Sequence, residues 1–194
     1  SGADGSLQAA RLGCGRTFVD DASYNRRFGE ITDPELALIK ITNPAGEPLA
    51  LVVNFAGHPI LEPDDAMLSP DYPGLLTRKL DLHYGFGFFL QGALGDLNAG
   101  FDRRNPERRR KEPAEKIAGR LHRAIAGVYD SIPVEAEVRL ASLTASFKLP
   151  EKKLGFEGND LTDVNCLSNF QLLTTTFYLL SFFIQKKHAF WLLC

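Results

Sequence analysis

At 194 residues the chain is long enough for one domain with a real core, or for part of a larger one. A formal net charge of −2 and an ordinary apolar fraction of 44% leave no global case for nucleic acid or a charged membrane surface. Cys14, Cys166 and Cys194 lie far apart with no Cys-x-x-Cys pair, which excludes a zinc knuckle, gives no disulfide framework and leaves the redox compartment open.

The chain opens Ser1-Gly2-Ala3 with neither an initiator Met nor a basic-then-apolar leader, so a processed or partial sequence is expected. Arg11 to Val19 reads as an edge strand, and the polar segment from Asp20 to Gly29 as loop. Glu35 to Thr42 alternates apolar and polar residues, Asn43-Pro44-Ala45-Gly46 is a tight reversal, and Leu49 to Phe55 is more continuously apolar. A hairpin follows, its second strand expected to be interior and covered on both faces.

That second strand stops at Gly57-His58-Pro59, followed by the acidic loop Glu62-Pro63-Asp64-Asp65 and then Leu68-Ser69-Pro70-Asp71-Tyr72-Pro73-Gly74. A histidine and carboxylates just past a buried strand are well placed for ligand or metal work. His58 reads equally as a residue that bonds its own turn, since one histidine makes no site. Pro73 suits a first helical turn behind Asp71 as a cap, and Leu75, Leu76, Leu80 and Leu82 predict a short amphipathic helix ending near Gly85. Phe86 to Leu90 is a compact strand that runs into the Gly-rich stretch from Gln91 to Gly100.

The basic segment from Phe101 to Glu112 has no interleaved aromatics to stack bases, and it reads as a solvated loop and helix start. From Pro113, Ile117, Leu121, Ala124, Ile125 and Val128 recur at helical spacing. His122 on this helix, and His83 at the end of the shorter one, read as surface or part-buried residues rather than ligands. Val134 to Leu149 returns to strand character. The order of elements implies an α/β domain over residues 1–150, a layered mixed sheet with helices packed on it. Loops beyond the carboxyl ends of strands are then the default ligand sites, with the two Gly-rich loops near one another. Residues 151–194 form a divergent apolar tail. Its run from Phe170 to Ile184 falls short of the roughly 20 residues of a spanning helix. It reads as a buried helix, a membrane-surface segment or a stretch foreign to the domain.

Five motifs occur in one order: Asn25-Arg26-Arg27, Asp33-Pro34-Glu35-Leu36, Asn54-Phe55-Ala56-Gly57-His58-Pro59, Leu68 to Gly74, and Gln91-Gly92-Ala93-Leu94-Gly95-Asp96-Leu97-Asn98. Together they resemble the N-terminal catalytic domain of the neutral/alkaline (non-lysosomal) ceramidase family, from about Arg11 to Pro150. The resemblance implies a zinc-dependent amidase that cleaves the N-acyl bond of ceramide to sphingosine and a fatty acid. It makes His58 a zinc ligand, Arg26 an active-site residue and Asp71 a structural residue. It also aligns Gly95 to Asn98 with the loop that bears the family's nucleophilic serine, and Asn98 stands where that serine would be.

An amide cannot become an alkoxide nucleophile, so the expectation shifts to metal-activated attack on an amide or related acyl bond. Asp96 then orients the water, Asn98 donates to the oxyanion, and the backbone at Gly57 and Gly95 meets substrate. Zn²⁺ is the implied cofactor, but its site is incomplete. No His-x-His pair occurs in Ser1 to Arg16, and the family's Glu and Tyr ligands fall where this chain has its tail. The chain is therefore expected to be a fragment, inactive alone, with a small-molecule or lipid amide substrate and no nucleic-acid partner. The tail leaves a membrane surface open as a partner. The compartment is unknown, with an extracytoplasmic or membrane-associated lean taken from the family. The alternative is a non-catalytic ligand-binding or structural homologue of the same fold.

Overall fold

The computed structural model describes residues 7–27, 31–61, 68–100 and 112–138 with their side chains, and the backbone of 140–147, 177–184 and 188–193. Four strands make the main sheet: β1 (Arg11–Phe18), β3 (Glu35–Thr42), β4 (Pro48–Phe55) and β5 (Phe86–Gln91), in that spatial order. A three-residue strand, β2 (Ser23–Asn25), lies between β1 and β3 in sequence and pairs elsewhere. The first three strands of the sheet run antiparallel to one another, with β1 at an edge as its sequence suggests. The β3–β4 reversal is held at Asn43, whose side chain accepts from the Glu47 amide at 2.9 Å, while Gly46 takes a φ of 91°.

The β4–β5 pair is parallel, which requires a crossover. Helix α1 (Asp71–Tyr84) supplies it, so the carboxyl ends of β4 and β5 lie side by side. Gly85 makes the return to the sheet possible. Its φ is +80°, and a Cβ there would stand 2.4 Å from the Leu49 carbonyl oxygen. Helix α2 (Ala114–Val128) packs beside α1 on the same face, as in the layered mixed α/β arrangement its periodicity implies.

The two-residue period of the strands sends Leu36, Leu38, Leu51, Val53 and Phe55 toward the helices. There they join Tyr72, Leu76 and Leu80 of α1 and Ile117, Leu121 and Ile125 of α2 in one core. Lys40 is buried on this face. Its ammonium donates to the Tyr129 carbonyl at 3.0 Å and lies 4.2 Å from the centre of the Tyr129 ring, so the desolvated charge has partners.

Four expectations need correction. The segment from Asp20 to Gly29 is not all loop, because it contains β2. Strand β4 is not covered on both faces: Ala50, Val52 and Asn54 are half-buried on the side away from the helices. Leu82 is 80% exposed, so the apolar stripe of α1 runs through Tyr72, Leu76, Leu80 and Tyr84 instead. Asp71 makes no side-chain cap ahead of α1. It is the first helical residue, at φ 47°.

Beyond the two helices, β7 (Leu140–Phe147), β8 (Phe177–Ile184) and β9 (His188–Leu193) form a separate antiparallel sheet. Those tail residues are therefore strand, where the apolar run alone also allowed a helix. The proposed boundary at residue 150 and the basic segment 101–111 lie outside the described residues. Among the described residues no helix is long and apolar enough to cross a membrane.

Candidate functional site

The two Gly-rich loops leave the adjacent carboxyl ends of β4 and β5 and meet at once. The Gly92 amide donates to the Phe55 carbonyl at 2.9 Å, and the Gln91 side chain reaches the same oxygen at 3.1 Å. Three residues past β4, His58 pairs with Asn98 in a parallel bridge. Its amide donates to the Leu97 carbonyl at 2.8 Å, and its carbonyl accepts from the Ala99 amide at 3.3 Å. Asn98 is the middle residue of β6 (Leu97–Ala99), which pairs antiparallel with β2, opposite Tyr24. Paired residues on neighbouring strands project to the same face, so His58, Asn98 and Tyr24 share one side of this small patch.

Arg26 and Asp96 close the end of the patch. The Arg26 amide donates to the Asp96 carbonyl at 2.7 Å, and its guanidinium to the Gly95 carbonyl at 3.0 Å. Asn25 does what sequence reasoning did not assign to it. Its amide nitrogen donates to Asp96 Oδ2 at 2.8 Å and to the Ile31 carbonyl at 2.9 Å, while its oxygen accepts from the Arg27 amide at 2.9 Å. A buried asparagine thus sets one carboxylate oxygen of Asp96. The Asn-Arg dipeptide was the available signal, and it drew attention to Arg26 alone.

The candidate residues divide by exposure. Asn98 is 5% exposed, whereas Arg26 and Gly95 stand at the surface and His58 and Asp96 are half-buried. Gly57 is buried. Its carbonyl accepts from the Tyr72 hydroxyl at 2.7 Å, so it supports the patch instead of facing open space. Burial, then the neighbouring Asp71 charge, push the Tyr72 phenol well above its usual range, against a hydrogen bond with Gln91. It stays a protonated donor to Gly57 across the working pH range.

Two further groups hold the patch from below. Asp71 ties Leu61 to the start of α1: Oδ2 accepts from the Leu61 amide at 2.7 Å and Oδ1 from the Tyr72 amide at 2.6 Å. Arg120 of α2 grips Glu112 through two hydrogen bonds at 3.1 and 2.9 Å and donates to the Asp21 carbonyl at 2.8 Å. Gly100, at φ 57°, lets the chain pass between them, donating to the Ala22 carbonyl at 3.0 Å. In the sequence Arg120 carries no mark beyond its place on α2 outside the apolar stripe. Its tie to the loop before β2 had no sequence signal.

The implied metal can be tested against the donors present. Among the described residues no group of three or more His, Cys, Asp or Glu side chains could hold a metal ion. His58 is a single imidazole beside an amide, and a catalytic zinc ordinarily takes three protein ligands. The described residues around His58 do not fit a catalytic zinc site by themselves.

No family model matches the sequence, and no curated protein does. Solved structures do match in shape. A ceramidase complexed with C2 superposes with a TM-score of 0.56 at 18% identity, covering 73% of this chain and 26% of that one. The neutral ceramidase from Pseudomonas aeruginosa gives a TM-score of 0.55 with the same identity and coverage. The fold is ceramidase-like. The chain spans about a quarter of the length of the structures it matches. At this identity the likeness is one of fold, with the mixed sheet and its two packed helices as the shared feature.

Proposed function

We propose that the chain is part of a ceramidase-like hydrolase that cleaves an amide (N-acyl) or related acyl bond, with a small-molecule or lipid amide as substrate. The observation that supports this most is the His58–Asn98 bridge beside the Arg26–Gly95–Asp96 clasp, where the two parallel strands end. In this reading the Asn98 amide donates to the carbonyl oxygen as negative charge develops there. Asp96, one oxygen already held by Asn25, orients an attacking water through its other oxygen and takes the water's proton. The exposed Arg26 guanidinium offers further N–H donors to the carboxylate product. Expulsion of the amine, with a proton returned to its nitrogen, completes hydrolysis. None of these roles requires a metal. His58 supplies at most one ligand, so zinc belongs to the proposal only if residues outside this stretch complete the site.

A second reading has its own support. Asn98 is buried and occupies the place of the expected nucleophile, as in a homologue that kept the fold for ligand binding and lost the chemistry. Carboxylic-acid release from N-acyl amines, by the longest available form of the protein, separates the two. Hydrolysis that drops about 10²–10³-fold in Asn98→Ala supports the enzyme. Turnover unchanged in both Asn98→Ala and Asp96→Ala removes the assigned roles, and no turnover in any form favours the binding homologue.

A further inference from the structure

Helices α1 and α2 bring two histidines together, away from the strand ends. His83 lies in the last turn of α1 and His122 midway along α2, and their ring centres are 5.1 Å apart at an interplanar angle of 41°. His83 is exposed, His122 is half-buried, and His122 Nε2 is buried without a hydrogen-bond partner. From Asp71 to His83 the helix rises about 18 Å, so this pair is remote from the patch around Asn98.

We infer that His83 and His122 form a binding site for one late first-row divalent metal ion, clamping the carboxyl end of α1 to α2. The spacing is what such an ion needs. A metal–nitrogen bond of about 2.0–2.1 Å places the metal about 3.2 Å from an imidazole centre, so two imidazole centres lie about 4.5 Å apart at the right angle of Cu²⁺ or Ni²⁺ and about 5.2 Å apart at the tetrahedral angle of Zn²⁺. The observed 5.1 Å lies within a small side-chain adjustment of those values. Helix dipole adds in the same sense, because a carboxyl-terminal turn favours a cation.

The surroundings also select the metal. The charges of Lys79 and Arg123 act at His122, and they oppose any cation held by charge alone. Mg²⁺ and Ca²⁺, which want oxygen ligands, are therefore excluded. Cu²⁺, Ni²⁺ and Zn²⁺, which bond directionally to imidazole, are admitted, with Cu²⁺ the tightest.

The chain has four histidines, so His58→Ala with His188→Ala leaves His83 and His122 as the only imidazoles. In that background, equilibrium dialysis and thermal melting with NiCl₂, ZnCl₂, CuSO₄ and MgCl₂ should show one ion bound per chain, a saturable rise in Tm for the first three and none for Mg²⁺. Adding His83→Ala, at an exposed position that should leave the fold intact, should weaken Ni²⁺ binding more than about tenfold, or 1.4 kcal/mol. Equal binding with and without His83, or no uptake by the parent, would overturn the site and leave an ordinary imidazole stack. Because His58 is absent from every sample, the result is independent of the proposed hydrolase.

Discussion

The two faces of the main sheet are written in the same strands and end in different situations. Toward the helices, Leu36, Leu38, Leu51, Val53 and Phe55 are fully buried. On the opposite face Phe86, Phe88 and Leu90 of β5 are 71, 50 and 39% exposed, with the first two rings stacked at 5.9 Å. Asn54 supplies one polar contact there, donating to the Leu90 carbonyl at 3.1 Å. The inner face needs nothing beyond these residues to close. The outer face is an apolar patch of the kind that marks a contact surface or an aggregation hazard.

The comparison can be broken first on its inner side. Leu76→Ala removes a fully buried α1 side chain and should cost about 2–5 kcal/mol in urea denaturation. A loss under about 1 kcal/mol would mean that the helices do not close this face. Next in size is Arg120→Ala, which removes charge-assisted bonds to Glu112 and Asp21 at a largely covered site. About 1.5–3 kcal/mol is expected.

The same cluster has a pH signature. Burial acts to raise the Glu112 carboxyl, but hydrogen bonds and charge from Lys116 and Arg120 outweigh it and hold the pKa below its usual 4.5. A depressed folded value means that the contribution is present above the unfolded pKa and is lost as pH falls through the folded one. Stability should therefore decline below about pH 4.5, and Glu112→Gln should flatten that part of the profile. The smallest effect belongs to the outer face. Phe88→Ser should change stability within about 0.5 kcal/mol while lowering self-association in light scattering. A large loss would show that the outer face is already packed.

What the sequence made legible follows from periodicity. Alternation in Glu35 to Thr42 and apolar continuity in Leu49 to Phe55 located β3 and β4, and helical spacing of Ile117, Leu121 and Ile125 located α2. A parallel β4–β5 pair then follows from chain order, and with it the meeting of the two Gly-rich loops. The rest depends on contacts that periodicity does not encode. Ser23 to Asn25 is too short to show a period, and its strand exists because β6 pairs with it. Asn25 bonds Asp96, 71 residues away. Whether His83 and His122 face one another is set by the crossing of α1 and α2, so spacing within either helix gave no sign of it. Leu82 matched the helical stripe in type and missed it in angle.

The most direct measurement of the central claim is a rate cycle on N-acyl amine hydrolysis with Asn98→Ala, Asp96→Ala and the double variant, in the longest form of the protein. If Asn98 and Asp96 serve one reaction, each single change costs about 10²–10³-fold, and the double costs far less than the product of the two. Wild-type rates in both single variants would contradict the account.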